Sequence, residues 1–249
     1  TWPNPRFWIT ESGVAAIRPD GTGYGAEGAY SEELQANYVI QQYAMAKQAF
    51  HEVDAEGGVI FHHCLRDDCN GTYGLVDRNN SPRPAFYAAW LTTRLLGDAT
   101  FQEDRSGRDY KHLVFTGKDG ERIHVLWAIM GQAVSINLAG MNAHIYKQSE
   151  AQTYYEGTQP ACRAVYTITL PGASEQGGSG NDPYQDAGGN TGWQSNYFVG
   201  GETYLLVETN EPCPPPGDGT AGTPEGSLSP VCEGGRLVGL SLMGRDESS

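Results

Sequence analysis

Two short apolar runs in the first quarter of the chain end on side chains that can do chemistry. Phe7-Trp8-Ile9-Thr10 closes on Glu11, and Val59-Ile60-Phe61 closes on His62 and His63. Both read as strands. Where parallel strands alternate with helices, groups at the C-terminal strand ends point into the mouth where the loops converge, the usual place for catalytic side chains. An ionised Glu11 there is suited to attack or to charge stabilisation; the structural alternative is a carboxylate bonded by the glycine-rich loop behind it. One of His62 and His63 should face the interior of the strand array and the other the helix layer, as a substrate contact or as a satisfied packing histidine. Asp67 and Asp68 follow in the next loop, as substrate contacts or as solvated loop charges. Trp2, Trp8 and Tyr73 are candidate stacking platforms, with core packing the alternative for Trp8.

The elements that must position these groups are legible. After Glu11 a loop rich in glycine runs to Ser31, an N-cap residue with Glu32 and Glu33 in the first turn behind it. Leu34, Tyr38, Met45 and Ala49 fall on one face of a helix reaching about Glu52. Gly57-Gly58 precedes the second strand, and a loop from Cys64 to Pro82 leads to a helix from Pro84 to Leu96 that buries Tyr87, Leu91 and Leu95. Strand, helix, strand, helix is the rhythm of parallel α/β architecture. Beyond Gly97 the pattern changes to short strands at 112–115, 123–127, 134–138, 144–146, 164–170 and 203–207, with Lys118-Asp119-Gly120 as a hairpin turn. That spacing predicts a β-sandwich. Residues 177–192 read as a long loop, 211–230 as a linker-like tail, and 237–240 as a further edge strand.

Composition narrows the partners. Of 249 residues, 16 are Lys or Arg and 30 Asp or Glu, a net charge of −14, so no basic stripe exists to track phosphates or uronates and a neutral substrate fits better than nucleic acid. With 33 glycines, 14 prolines and only 18% charged residues, the chain favours strands and turns. The five cysteines, at 64, 69, 162, 213 and 232, lack the spacing of a four-ligand zinc site. Cys64 with Cys69, and Cys213 with Cys232, are plausible disulfides in an oxidising compartment; five reduced thiols are the alternative. No apolar run is long enough to span a bilayer, and no leader stands at Thr1. A start six residues ahead of a buried-looking strand reads as an internal point of a longer protein.

The strings "WITESGV", "YSEELQANYVIQQYAMAKQAF", "GVIFHHCLRDD" and "YGLVDRNNSPRPAFYAAWLTTRLLGDATF" resemble the end of the barrel in the large clan of retaining (β/α)8 glycoside hydrolases, over residues 7 to 101. "RDYKHLVFTGKDGERIHVLWA", "ITLPGA" and "GGETYLLVE" resemble the accessory β-sandwich often attached to such barrels. The resemblance implies α/β plus all-β architecture: the last two βα units of a (β/α)8 barrel at 1–97, a β-sandwich at 98–208 and a Pro/Gly-rich tail at 209–249. It implies Glu11 as the nucleophile of a double displacement, with a second carboxylate roughly 5 to 5.5 Å away. It implies an oligo- or polysaccharide substrate contacted by residues among His62, His63, Trp2, Tyr73 and Asp67, no cofactor, no metal and an extracellular or cell-surface location. The family's acid/base lies in an N-E motif on the fourth barrel strand, ahead of this sequence. Asn210-Glu211-Pro212 follows no barrel strand and reads as coincidence. The missing strands must therefore come from an N-terminal remainder or another chain; the alternative is a non-catalytic carbohydrate-binding or filament protein reusing the fold. Asn70-Gly71-Thr72 is a glycosylation sequon, and Asp182 and Asp186 match no calcium-loop spacing.

Overall fold

The computed structural model describes residues 7–16, 31–55, 57–67, 72–139, 142–152, 161–162, 165–173, 199–209, 228–233 and 236–242. It opens with strand β1 (Trp8–Ser12), helix α1 (Glu32–Glu52), strand β2 (Val59–His62) and helix α2 (Pro84–Leu96). β1 and β2 pair in parallel, as the strand–helix–strand order requires. The expectation of a buried strand at the start is corrected: Trp8 is 62% exposed and Phe61 46%, because the described residues place no layer over that face.

Ser31 caps α1 from extended backbone, its Oγ accepting from Leu34 N at 3.2 Å, while Glu32 and Glu33 sit at the positive end of the helix dipole. The inward face differs from the one that hydrophobic spacing predicts. Met45 and Ala49 are exposed, while Ala36, Val39, Ile40 and Ala44 are buried together with Gln35, Asn37 and Gln41. The reason is hydrogen bonding. Gln41 Nε2 donates to Gly201 O and Thr203 Oγ1 at 2.9 and 3.0 Å, its Oε1 accepts from Gly200 N at 2.9 Å, and Asn37 Oδ1 accepts from Thr203 N at 2.8 Å. These amides satisfy backbone groups that a packed apolar face would leave unpaired. Gln41→Leu is expected to cost about 2–4 kcal/mol, because buried groups on the 200–203 segment lose their partners at once; urea unfolding with an unchanged midpoint would refute this tie.

α2 starts on Pro84, whose fixed φ suits the first turn, and it buries Ala85, Ala88, Leu91, Leu95 and Leu96; Tyr87 is half-buried. Then come β3 (Thr100–Asp104), β4 (Tyr110–Thr116), β5 (Arg122–Ala128), β6 (Val134–Ala139), β7 (Asn142–Lys147), a 3₁₀ turn at Gln148–Glu150, β8 (Ala161–Cys162), β9 (Val165–Leu170) and β10 (Tyr204–Glu208). The β4–β5 hairpin turns at Lys118-Asp119-Gly120, where Gly120 takes a φ of +84° that other residues resist. Neither β3 nor β8 is evident in the sequence. β3 reads as a charged stretch and is only an edge strand, and β8 has two residues.

Six strands form one antiparallel sheet in the order β3-β4-β5-β10-β7-β8, and β6 pairs with β9. Strand alternation divides the side chains between two cores. Ile123, Val125, Trp127, Leu205 and Val207 join Val39, Ile40, Leu91 and Leu95 of the two helices. Leu126, Ala128 and Leu206 meet Ile136, Tyr166, Ile168 and Leu170 of the β6–β9 pair. The main sheet is thus covered by helices on one face and by a strand pair on the other. Residues 1–212 form one compact unit and 213–249 a second. In the second, β11 (Leu228–Glu233) pairs antiparallel with β12 (Arg236–Leu242). β11 corrects the reading of 211–230 as wholly linker, since its last three residues enter a strand.

Candidate active site at the end of the parallel strand pair

A register irregularity aims Glu11. Ile9 pairs with Ile60 and Ser12 with His62, so three steps on β1 match two on β2. Regular alternation would put Glu11 on the same face as Ile9. The extra residue gives that face to Ser12 instead and turns Glu11 to the other side, the re-aiming that bulges provide beside functional groups. The Ser12 hydroxyl lies 2.9 Å from Tyr38 Oη, which marks its face as the α1 side. By that register Glu11 falls on the side of Trp8, Val59 and Phe61, and all four residues are exposed. The Trp8 and Phe61 rings lie 6.0 Å apart, centre to centre.

His62, His63 and Tyr73 come together beside this end. His62 Nε2 lies 3.0 Å from Tyr73 O, and since a carbonyl only accepts, Nε2 carries the proton. His62 Nδ1 is then a buried acceptor with no hydrogen-bond partner among the described residues. Burial pushes the His62 imidazole below its usual pKa, with the adjacent His63 adding to the effect and the Tyr73 carbonyl opposing it, so the ring is neutral at pH 7. The His63 ring packs on Tyr73 at 5.6 Å between centres. His63 N donates to Ser12 O at 2.8 Å, tying the exit of β2 to that of β1. At Gly13 a side chain would collide with the His63 carbonyl, so the glycine permits this close approach.

Asp67 has a different place from the sugar contact read in the sequence. It is wholly buried: Oδ2 lies 2.6 Å from Arg83 Nη2 and Oδ1 accepts from Gly74 N at 3.0 Å. Arg83, itself 3% exposed, also donates from Nη1 to Thr72 O at 3.0 Å and to Gly74 O at 3.3 Å, and its Nε lies 3.2 Å from Glu32 Oε1. Asp67 thus closes the loop after β2, because its carboxylate is already engaged by these donors. Arg83 is the residue that sequence reasoning missed. Its signal was a cation directly before Pro84, where it sits at the N-cap position of α2 against the helix dipole and provides no side-chain cap.

Trp2, Asp68, Cys69, Asn70, Asp182, Asp186, Glu211 and Cys213 lie outside the described residues, as do the side chains of Cys162 and Cys232. Cys64 is buried, its Sγ 2.8 Å from Arg66 O, at the head of the loop that Cys69 would close. We expect a Cys64–Cys69 bond in protein made under oxidising conditions, seen as a peptide pair that separates only on reduction; alkylation of both thiols without reductant would exclude it.

Among the described residues no helix is long and apolar enough to cross a membrane. No family model and no curated protein matches the sequence. Solved structures do. A family 39 glycoside hydrolase from the gut symbiont Bacteroides cellulosilyticus WH2 is 17% identical with a TM-score of 0.51, over 82% of this chain and 34% of that one. The catalytic domain of GH30 xylanase C from Talaromyces cellulolyticus is 15% identical with a TM-score of 0.45, over 84% and 42%. A GH51 arabinofuranosidase from Xanthomonas axonopodis pv. citri is 12% identical with a TM-score of 0.44, over 82% and 41%. This chain thus spans about a third to two-fifths of the length of these solved chains. At these identities the first likeness is one of fold.

Proposed function

We propose that this chain is the C-terminal portion of a retaining glycoside hydrolase acting on β-linked glycosides, with Glu11 as nucleophile. In this reading residues 1–97 are the last two βα units of a (β/α)8 barrel, 98–208 an accessory β-sandwich and 209–249 a tail. The observation that carries it is the placement of Glu11. It stands at the C-terminal end of two parallel strands, turned by the bulge onto the exposed side with Trp8 and Phe61. In a closed barrel that side is the interior, and strand-end residues line the mouth. Two strands cannot close a barrel, so the remaining strands come from an N-terminal remainder or a second chain and bring the acid/base carboxylate with them. The attack forms a bond from a Glu11 oxygen to the anomeric carbon as the bond to the leaving oxygen breaks, with the second carboxylic acid protonating that oxygen; water then cleaves the glycosyl ester.

The exposed aromatics fit an oligo- or polysaccharide, whose apolar ring faces stack on such groups. The spacing of Cys64 with Cys69 and of Cys213 with Cys232, which would suit disulfides, and the sequon favour an extracellular or cell-surface location. The test is a 2-fluoro mechanism-based glycoside applied to the complete protein. Stable mass addition on the peptide containing Glu11 is expected, because the fluorine slows release of the covalent intermediate. Residues 1–249 alone are expected to be unlabelled and inactive. Labelling at another carboxylate of an active enzyme would refute the assignment. A complete assembly without a facing carboxylate would favour a structural or carbohydrate-binding role.

A further inference from the structure

We propose that Arg83 is a positioning residue for the site: its guanidinium fixes the peptide on both sides of Tyr73, and so sets the His63–Tyr73 pair as one wall of the sugar-binding rim. The sugar-facing role rests on the glycosidase reading above; the positioning itself does not. Arg83 Nη1 donates to the carbonyls of Thr72 and of Gly74, the two residues flanking Tyr73. Its Nη2 is held by Asp67, whose other oxygen accepts from Gly74 N. Thr72 O is further bound by Ala16 N at 2.9 Å and by Gln35 Nε2 at 3.3 Å, so the loop after β1, the start of α1 and the loop after β2 meet at one carbonyl. Arg83 N donates to Leu75 O at 3.0 Å, and a side chain at Gly74 would fall 2.7 Å from Asp67 Oδ1, so the strand of loop carrying Tyr73 has little room to shift. Tyr73 in turn accepts from His62 Nε2 and packs its ring on His63.

A buried ion pair is a poor source of net stability, because desolvation of both charges offsets most of their attraction. Its stronger effect is directional. The planar guanidinium fixes two carbonyls and a carboxylate in one geometry, which a lysine ammonium cannot reproduce. Two hydrogen bonds from Arg83 Nη1 and one from its backbone N reach a segment that also donates from Gly74 N to Asp67, and the centre of that segment, Tyr73, is half-buried. The device therefore orders an aromatic at the mouth where Glu11 ends its strand.

The test uses the complete protein with two variants, Arg83→Lys and the double Arg83→Met with Asp67→Leu. The double variant removes both charges of the buried pair together, but Glu32 Oε1 and the Thr72 and Gly74 carbonyls lose Arg83 and Gly74 N loses Asp67, so its unfolding midpoint is expected to fall, and it is measured where circular dichroism shows it folded. Two readouts follow: the ring-proton resonances of His63, shifted by the Tyr73 ring current, and KM against kcat on 4-nitrophenyl β-D-glucoside and β-D-xyloside. Both variants are expected to move the His63 resonances to their position in Tyr73→Leu and to raise KM roughly tenfold with kcat within about twofold, as loss of a binding wall that contacts ground and transition states equally does. A folded double variant, or Arg83→Lys, with parental His63 resonances and parental KM would overturn the proposal and leave Arg83 as a stabilising clamp. Parental protein inactive on both glycosides would count against the Glu11 reading, while the His63 resonances would still decide whether Arg83 positions Tyr73.

Discussion

Glu11→Gln in the complete protein is expected to lower kcat on aryl β-glycosides by at least roughly a thousandfold and to abolish labelling by the fluorinated glycoside. The amide matches the carboxylate in size and stays on an exposed strand end, so folding should survive, as circular dichroism and the unfolding midpoint would report. It lacks the negative charge that attacks the anomeric carbon. A second arm sharpens the result. A small external nucleophile such as azide enters the space left in Glu11→Ala and should restore part of the turnover with inversion at the anomeric centre, because a single displacement then replaces two. If Glu11→Gln kept more than about a tenth of parental kcat, the nucleophile would have to be elsewhere.

Lowering the pH from 7 to 4 is expected to remove about 3 kcal/mol of folding stability through the buried histidines of the main sheet. His124 Nε2 lies 2.7 Å from Glu208 Oε1, a carboxylate that only accepts, so His124 Nδ1 is bare and His112 Nε2 donates to it at 2.8 Å. His112 and His124 are 4% and 2% exposed. Burial, with help from the neighbouring His124 and Arg105 and against the weaker pull of Glu103 and Asp104, lowers the His112 pKa to about 4. Burial lowers that of His124 as well, opposed by Glu208 and reinforced by Arg105 and Arg122. In the unfolded chain these rings take protons near their ordinary pKa of 6.5, whereas folded His112 resists until about 4. The unfolded state thus binds more protons throughout the window from 6.5 to 4, and stability falls as pH falls through it. Urea unfolding at several pH values checks this. His112→Leu should be less stable at pH 7, where His124 loses its donor, yet show a flatter profile; a profile as steep as the parent's would assign the acid response to other groups.

Local chemistry alone determined much of this chain. Ser31 before two glutamates, Pro84 ahead of an apolar stripe, and Lys118-Asp119-Gly120 between alternating runs each stabilise one backbone conformation within a few residues, so those elements are legible without a fold. The same holds for Glu11, His62 and His63 as strand-end groups, since an apolar run that gives way to polar residues marks where the strand stops. What lay beyond the sequence depended on partners distant along it. The inward face of α1 could not be read because Gln35, Asn37 and Gln41 look solvent-facing until backbone groups from residues 72 and 200–203 arrive to bond them. Asp67 looked like a free loop acid until Arg83, sixteen residues on, neutralised it. The bulge that turns Glu11 outward is a mismatch between two strands 50 residues apart, and no residue type in β1 announces it. Local propensity sets the elements, whereas register, side-chain facing and the pairing of buried polar groups are settled only when the elements meet, since that is where the desolvation costs of unpaired groups are incurred.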